Sequence, residues 1–263
     1  MASYRDYLAW ERLPHLWCAG CGHGVILKAL TLALAALEVP PDKVVVASGI
    51  GCSGRIGDYV TTHRFQGTHG RTLAFATGIH LARPEVKVIC VMGDGDAAAI
   101  GGNHLIHAAR RNVDLTAIVP NNLNYGMTGG QFSPLTPPAS ISSTSRQGKA
   151  EPAFDICHLA VVAGASYVAR TTVYHVTEMQ KFLQEAILKK GFSLLEVLTP
   201  CPTYYGRYNA LGEAAQMLEW LNRSVIPLAR YRQMSGDEAR YWWRGRLVDR
   251  EAPDFLSRLK GAG

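Results

Sequence analysis

Short apolar segments rich in β-branched residues alternate with longer Leu- and Ala-rich segments along most of this 263-residue chain. The short runs indicate buried strands, and the longer periodic segments indicate helices. The predicted strands are Lys43–Ser48, Val86–Met92, Asp114–Val119, Ser166–Ala169 and Phe192–Val197. The predicted helices are Gly24–Glu38, Thr72–Ala82, Ala97–Arg111, Phe154–Ala163 and Val176–Lys190. This alternation predicts an α/β fold, a doubly wound and mostly parallel sheet with helices on both faces.

The chain is long enough to bury a complete core, and neither a repeat nor a low-complexity linker divides it. We therefore predict one domain over residues 1–222, followed by a basic and aromatic extension over residues 223–263. The extension contains Tyr241-Trp242-Trp243, and we expect this aromatic cluster to pack on the domain or on a partner.

The sequence has no apolar leader segment, and no apolar run approaches the ~20 residues that span a bilayer. We therefore expect a cytoplasmic protein with neither a membrane nor a nucleic acid among its partners. The net charge is +6, and much of the basic excess follows residue 222. This excess indicates either steering of an acidic partner or a solvated basic face.

A glycine-rich turn, Gly93-Asp94-Gly95, follows one predicted strand and precedes a predicted helix. Its glycines let the backbone approach phosphate oxygens, and the helix N-terminus offers free N–H groups. Asp94 supplies a hard oxygen for Mg²⁺ or Ca²⁺, and Asn122 at the end of the next strand can reach the same ion. The motif predicts a divalent ion that binds a diphosphate, with a plain glycine-rich turn and a capping Asn as the alternative.

Six cysteines in a chain without an export signal indicate metal ligation or core packing rather than disulfides. Cys90 lies inside a predicted strand and Cys157 inside a predicted amphipathic helix, so we expect both to be core residues.

The other cysteines are Cys18, Cys21, Cys52 and Cys201, in Gly- or Pro-rich segments. Cys18 and Cys21 form a CxxC pair, a spacing shared by zinc sites, redox dithiols and iron–sulfur clusters. Cys52 and Cys201 lie next to Gly or Pro, where irregular backbone presents N–H groups to sulfur. The residues alone leave structural zinc and an iron–sulfur cluster as alternatives.

Together these motifs resemble the β subunit of 2-oxoacid:ferredoxin oxidoreductases, which carries the pyrophosphate-type fold that binds thiamine diphosphate (ThDP). The matching motifs, from Trp17 to about Asn209, are WCAGCGHG, GIGCS, HGRTLAFATGIHLARP, GDGD, NNLNYGMTGGQFSP and PCPTYYGRYN. The resemblance implies three cofactors: ThDP, Mg²⁺ and one 4Fe–4S cluster.

The resemblance also implies residue roles. The implied cluster ligands are Cys18, Cys21, Cys52 and Cys201. The implied Mg²⁺ ligands are Asp94, the Asn122 side chain and the Asn124 backbone carbonyl. The implied ThDP contacts are Ile50, Gly51, Cys52, Ser53, Gly95, Asp96, Gly126 and Met127. His69 is a further candidate, with a core or capping histidine as the alternative.

The implied reaction is oxidative decarboxylation of a 2-oxoacid with coenzyme A, giving acyl-CoA, CO₂ and reduced ferredoxin. The glutamate that activates ThDP comes from a partner α subunit in this family, so no catalytic residue is assigned here. The implied partners are that α subunit, possible further small subunits, ferredoxin, coenzyme A and the 2-oxoacid. Residues 133–150 are rich in Ser, Thr and Pro without periodicity, which predicts a lid, a binding loop or an interface segment.

One departure from the family bears on the substrate. Two-subunit members often have Leu-Thr-Lys-Gly-Gln where this chain has the segment Met127–Gln131, so a lysine contact to substrate or coenzyme A is missing. This form, with the segment Tyr204–Asn209, is similar to bacterial 2-oxoglutarate enzymes. We expect 2-oxoglutarate, with pyruvate or a branched-chain 2-oxoacid as alternatives. A non-oxidative ThDP enzyme and a non-catalytic iron–sulfur electron-transfer subunit are the competing classes.

Overall fold

The computed structural model describes residues 3–234 and 242–261, so Tyr241 of the aromatic cluster lies outside the described residues. Within them an eight-stranded sheet has the order β2-β1-β3-β4-β6-β5-β8-β7. The strands are β1 Val44–Ser48, β2 His63–Gln66, β3 Lys87–Val91, β4 Thr116–Asn121, β5 Tyr167–Thr172, β6 Ser193–Leu198, β7 Val225–Pro227 and β8 Trp242–Asp249. Only the β5–β8 pair is antiparallel, so the predicted mostly parallel sheet is confirmed.

Helices cover both faces of the sheet. They are α1 His23–Ala36, α2 Thr72–Ala82, α3 Gly102–Arg111, α4 Ile156–Ala163, α5 Val176–Leu188, α6 Ala214–Ser224, α7 Leu228–Tyr231 and α8 Phe255–Gly261. Helices α1 and α5 share one core with Ile89 and Val91, whereas α2, α3 and α4 share the other with Val88 and Cys90. Alternate residues of β3 thus enter opposite cores, as the period of a strand requires. Every helix in the described residues is too short or too polar to span a bilayer.

The differences from the predicted elements have local causes. Strand β2 was not predicted because its four residues, His-Arg-Phe-Gln, are mostly polar and form the exposed edge of the sheet. The predicted helix Ala97–Arg111 is divided into a wide π-helical turn, Asp96–Ile100, and helix α3. The division falls at Gly101, whose backbone must pass close to Gly70, since an added Cβ would lie 3.0 Å from the Gly70 carbonyl oxygen.

The C-terminal residues continue the sheet. Strand β8 forms hydrogen bonds with β5, and helix α6 runs across the predicted boundary at residue 222. Trp243 is almost completely buried, and the guanidinium carbon of Arg170 lies 4.2 Å from its ring centroid. The division of the chain into a domain and an extension stays a prediction.

The segment 133–150 is folded against the rest of the chain. The Lys149 ammonium is buried and donates a hydrogen bond to the Thr136 carbonyl oxygen at 2.9 Å. The Asn209 side chain accepts from the Ile141 N–H at 2.8 Å and donates to the Ile141 carbonyl at 3.1 Å. The segment therefore makes hydrogen bonds both within itself and to Asn209, and its role at an interface stays a prediction.

Candidate active site

One edge of the sheet collects the predicted site residues, because parallel strands end there side by side. Strands β3 and β4 are neighbours, so the turn after β3 that contains Asp94 lies beside the segment after β4 that contains Asn122. A cavity of about 300 Å³ opens at this edge, as is usual for ligand sites in open α/β sheets. Its lining includes every predicted metal and ThDP residue: Ile50, Gly51, Cys52, Ser53, Asp94, Gly95, Asp96, Asn122, Asn124, Gly126 and Met127.

Three oxygens converge inside this cavity. The side-chain oxygen of Asn122 lies 2.8 Å from Asp94 Oδ1 and 2.6 Å from the Asn124 carbonyl oxygen. Turning the amide by 180° would replace these contacts with N–H···O hydrogen bonds, which satisfies the atoms in the absence of a cation. With the oxygen inward, the spacing suits one ion, because octahedral Mg²⁺ with bonds of about 2.1 Å separates adjacent oxygens by about 3.0 Å. These oxygens fit a hard divalent cation.

The electrostatics of Asp94 also favour a bound cation. Its carboxylate is 2% exposed, and Ser133 donates a hydroxyl hydrogen bond to Oδ2. Burial raises the pKa of Asp94 to about 7, because the charged form has lost its water. A divalent ion would stabilise that charged form, so ion binding and ionisation of Asp94 are coupled.

His69 lies at the wall of the same cavity. Its Nδ1 atom is 2.8 Å from Asp96 Oδ1, and the Gly70 N–H donates to the same carboxylate. Burial raises the pKa of Asp96, and the Gly70 hydrogen bond and His69 partly oppose that effect. His69 thus helps to position Asp96, which is one of the predicted ThDP contacts. A direct contact between His69 and a ligand stays a prediction.

A second cavity, of about 200 Å³, is lined by Cys18, Cys21, Cys52 and Cys201. It shares Cys52, Asn122, Gly126 and Met127 with the first cavity, so the two have a common wall. Hydrogen bonds to main-chain carbonyl groups fix its residues: the Trp17 indole donates to the Cys52 carbonyl at 2.8 Å, and the Cys201 N–H donates to the Asn122 carbonyl at 3.3 Å. The sequence motifs that suggested two sites therefore lie in adjacent cavities.

The spacing of the thiols bears on the choice between zinc and a cluster. Among the described residues, no three of these sulfurs lie within 4.8 Å of one another. A tetrahedral zinc with Zn–S bonds of about 2.3 Å needs sulfurs about 3.8 Å apart, a closer grouping than these thiols form here. Burial, and then the neighbouring Cys201, Cys21 and Cys18, raise the pKa of Cys52 to about 11. An iron–sulfur cluster would bind the thiolates and fill the wider space.

The remaining cysteines have no such site. Cys90 and Cys157 are fully buried in the core, as predicted, and burial raises the pKa of both thiols. They are inert structural residues by the usual criteria of exposure and pKa.

A buried polar network, which was not predicted from the sequence, supports the segment that carries Asn122. The Asn121 side chain donates to Glu196 Oε1 at 2.7 Å and accepts from the Leu123 N–H at 3.1 Å. Leu123 has a φ of 64°, an uncommon conformation for a non-glycine residue, and the Asn121 bond helps to hold it. The network therefore helps to set the conformation of the segment that carries the candidate metal ligands Asn122 and Asn124.

Arg170 extends this network by forming ion pairs with Glu196 and with Asp155. Arg170 Nε lies 2.6 Å from Glu196 Oε2, and its Nη2 lies 2.9 Å from Asp155 Oδ1. Arg170 and Glu196 are 3% and 1% exposed, so Glu196 depends on Arg170 for charge compensation, while Arg170 is compensated by Glu196 and Asp155 together. The signal in the sequence was Glu196 itself, a charged residue inside the otherwise apolar predicted strand Phe192–Val197.

Comparisons with known proteins identify the family. Residues 49–197 match the family described as thiamine pyrophosphate enzyme, C-terminal TPP binding domain. The chain is 44% identical over 258 residues to a 2-oxoglutarate synthase subunit KorB of Methanocaldococcus jannaschii, covering 96% of this chain and 94% of that protein. It is 55% identical over 203 residues to the same subunit of Archaeoglobus fulgidus, covering 77% of this chain and 76% of that protein.

A solved structure has a closely similar fold. The 2-oxoglutarate:ferredoxin oxidoreductase of Magnetococcus marinus, with 2-oxoglutarate, coenzyme A and succinyl-CoA bound, superposes with a TM-score of 0.88 at 30% identity. The match covers 100% of this chain and 89% of that chain. The chain is a β subunit of the 2-oxoacid:ferredoxin oxidoreductase family. The predicted fold and family are confirmed.

The Glu196 network generates a prediction. We expect Glu196→Gln to lower the free energy of unfolding by about 3–5 kcal/mol, because it leaves the buried Arg170 charge poorly compensated. It should also weaken Mg²⁺-dependent ThDP binding, because Asn121 loses its charged acceptor. Thermal unfolding and ThDP titration measure the two effects. In the matched control Glu219→Gln, which alters an exposed ion pair with Arg223, neither quantity should change. Equal behaviour of the two variants would contradict the role assigned to Glu196.

Proposed function

We propose that this family member oxidatively decarboxylates 2-oxoglutarate with coenzyme A, giving succinyl-CoA, CO₂ and reduced ferredoxin, in complex with an α subunit. The observation that carries the proposal is the wall shared by the oxygen-lined cavity and the cysteine-lined cavity. Adjacent sites for a carbanion-stabilising cofactor and for a one-electron carrier suit a reaction that releases electrons after decarboxylation. The names of the relatives support 2-oxoglutarate as the substrate.

We assign the metal and ThDP as follows. Asp94, Asn122 and the Asn124 carbonyl would hold Mg²⁺ against the diphosphate, and the turn at Gly95 would lie close to the phosphate oxygens. When bound, ThDP supplies the carbanion for attack on the 2-oxo carbon and takes up the electrons that decarboxylation leaves. The protein contributes orientation and exclusion of water, for which the buried Asp94 and the apolar wall of the cavity are suited.

We assign Cys18, Cys21, Cys52 and Cys201 to one 4Fe–4S cluster. Their wide separation and their enclosure in one cavity support a cluster over zinc, which disfavours a non-oxidative enzyme with a zinc site. A non-catalytic electron-transfer subunit would leave the converging oxygens of the first cavity without a role. A site built from free thiols also suits the reducing cytoplasm, where we propose the enzyme works.

A partner subunit is needed to complete this site. The carboxylates that line the first cavity within the described residues are Asp94, directed at the cation site, and Asp96, paired with His69. Because Asp94 is assigned to the cation and Asp96 pairs with His69, we propose that the α subunit supplies the activating glutamate. Apolar side chains at the two cavities are exposed, Ile50 by 42%, Met127 by 48% and Leu16 by 84%, and would be covered by that subunit.

The segment Met127–Gln131 supports the substrate assignment. Gly129 and Gly130 have φ values of 108° and 90°, where L side chains are strained. A Cβ on Gly130 would lie 2.6 Å from Tyr204 Cβ, so this segment packs directly on the Tyr204–Asn209 region. The lysine of other members corresponds to Gly129, whose φ of 108° strains an L side chain, so that lysine would need a different backbone here, which agrees with a different substrate pocket.

The first test addresses the metal site. Asp94→Asn should abolish Mg²⁺-dependent ThDP binding, because the ion loses its carboxylate ligand, while the iron content of the cluster stays unchanged. Isothermal titration with ThDP and iron analysis measure both in the complex with the α subunit. Asp42→Asn, at an exposed position outside the cavity, is the matched control. Wild-type ThDP affinity in Asp94→Asn would overturn the metal assignment.

The second test addresses the cluster. Cys201→Ser should remove the visible absorption and the iron of the cluster, because a thiolate ligand is lost. Cys90→Ala and Cys157→Ala should retain both, since these buried residues lie in the core outside the thiol cavity. A Cys201→Ser protein with full iron content and unchanged electron paramagnetic resonance would show that this residue is not a ligand.

The third test addresses the reaction. The chain with its α subunit should reduce ferredoxin or a viologen dye in a coenzyme A-dependent reaction, faster with 2-oxoglutarate than with pyruvate. The chain alone should be inactive, because half of the active site is absent. Robust turnover by the isolated chain would contradict the need for a partner. Turnover of pyruvate alone by the complex would contradict only the choice of substrate.

A further inference from the structure

A second group of potential metal ligands lies at the opposite edge of the sheet from the active site. His80 comes from helix α2, Asp114 precedes strand β4, and Asp254 precedes helix α8. One ligand atom from each residue lies within 4.8 Å of the other two. The three residues come from distant parts of the sequence and meet only because the chain is folded.

The histidine of this cluster is buried without the partners that a buried histidine requires. His80 is 1% exposed, and neither ring nitrogen has a hydrogen-bond partner among the described residues. Asp254, also 1% exposed, likewise has Oδ2 without a hydrogen bond in the described part of the chain. Buried polar atoms are almost always satisfied, so unpartnered lone-pair atoms grouped within 4.8 Å of one another indicate a missing ligand.

The cluster already attracts one cation. The Lys190 ammonium lies 2.7 Å from Asp114 Oδ2 and 3.6 Å from Asp254 Oδ2. This side chain is 56% exposed and can swing into solvent, whereas the carboxylates are held in place. Asp114 Oδ1 accepts the Gly191 N–H at 3.2 Å, and Asp254 Oδ1 accepts the Ser257 N–H at 3.1 Å. A metal ion would therefore replace Lys190 without rearranging its ligands.

We propose that His80, Asp114 and Asp254 bind a divalent transition-metal ion, with zinc as the best match. An imidazole combined with two carboxylates suits zinc, whereas Mg²⁺ and Ca²⁺ prefer oxygen ligands alone. Burial lowers the pKa of His80, which keeps the ring in the neutral form that binds metals. This ion is separate from the Mg²⁺ of the active site.

The position of the cluster gives the ion a structural role. The chain just before α8 is also held by Asn112, which donates to the Pro253 carbonyl at 3.2 Å and accepts from the Phe255 N–H at 3.1 Å. An ion on Asp254 would add a link from the same segment to α2 and to the start of β4. Metal binding should therefore protect α8 from proteolysis.

The experiment uses the complex with its α subunit, loaded with the cluster and saturated with Mg²⁺ and ThDP. After incubation with zinc and removal of unbound metal, we expect one zinc per chain by elemental analysis. Zinc-edge X-ray absorption should show nitrogen and oxygen ligands at about 2.0–2.1 Å. A sulfur shell at about 2.3 Å would assign the zinc to cysteines and overturn the proposal, as would the absence of bound zinc.

Matched variants make the test specific. His80→Asn should weaken zinc binding on the order of 100-fold, whereas His158→Asn, which alters a more exposed His–Asp pair, should not. Lys190→Met should tighten zinc binding because the competing ammonium is gone. Its neighbour Lys189 pairs with Asp249 and Glu251 instead, so Lys189→Met should leave zinc binding unchanged. If His80→Asn fails to fold, the Lys190 and Lys189 pair decides, and equal zinc affinities in those two variants would overturn the proposal.

Discussion

The geometry of the candidate active site depends most on three oxygens that lie close together at the ends of two parallel strands. Asp94 follows β3, Asn122 and Asn124 follow β4, and the direct pairing of these strands brings Asp94 Oδ1 and the Asn124 carbonyl oxygen within 2.8 Å of the Asn122 side-chain oxygen. Burial makes the ionised Asp94 carboxylate unfavourable, as its raised pKa indicates. A divalent cation would offset that cost. In the proposed assignment, the stability of this part of the sheet edge therefore depends on ion binding.

The turn after β4 also joins the two cavities. Asn122 directs its side chain at Asp94, while its carbonyl oxygen accepts the Cys201 N–H. A Cβ on Gly126 would lie 3.1 Å from the Asn122 amide nitrogen and 3.4 Å from Cys52 Sγ, so the wall between the cavities is thin. Displacement of this turn should therefore affect both sites. A thin wall would suit electron transfer between cofactors bound in the two cavities.

Much of the fold and of the candidate site could be predicted from the sequence, because both depend on local patterns. The central strands are continuous apolar runs, and the motif around Asp94 directly follows one of them. The edge strand β2 could not be predicted in this way, because a half-exposed polar strand has no apolar signature. The pairing of Arg170 with Glu196 depends on two strands that become neighbours only in the folded sheet. The cluster around His80 has the same origin, since its members are separated by long stretches of chain.

The adjacency of the metal site and the cluster is the central claim, and a distance-dependent magnetic measurement tests it most directly. Mn²⁺ would replace Mg²⁺ in the complex with its α subunit, and its ThDP-dependent electron paramagnetic resonance signal would be recorded with the cluster oxidised and reduced. If the cavities share a wall, reduction to the paramagnetic cluster should broaden that signal and speed its relaxation, and reoxidation should reverse both. A ThDP-dependent Mn²⁺ signal that is identical in the two redox states would contradict the account.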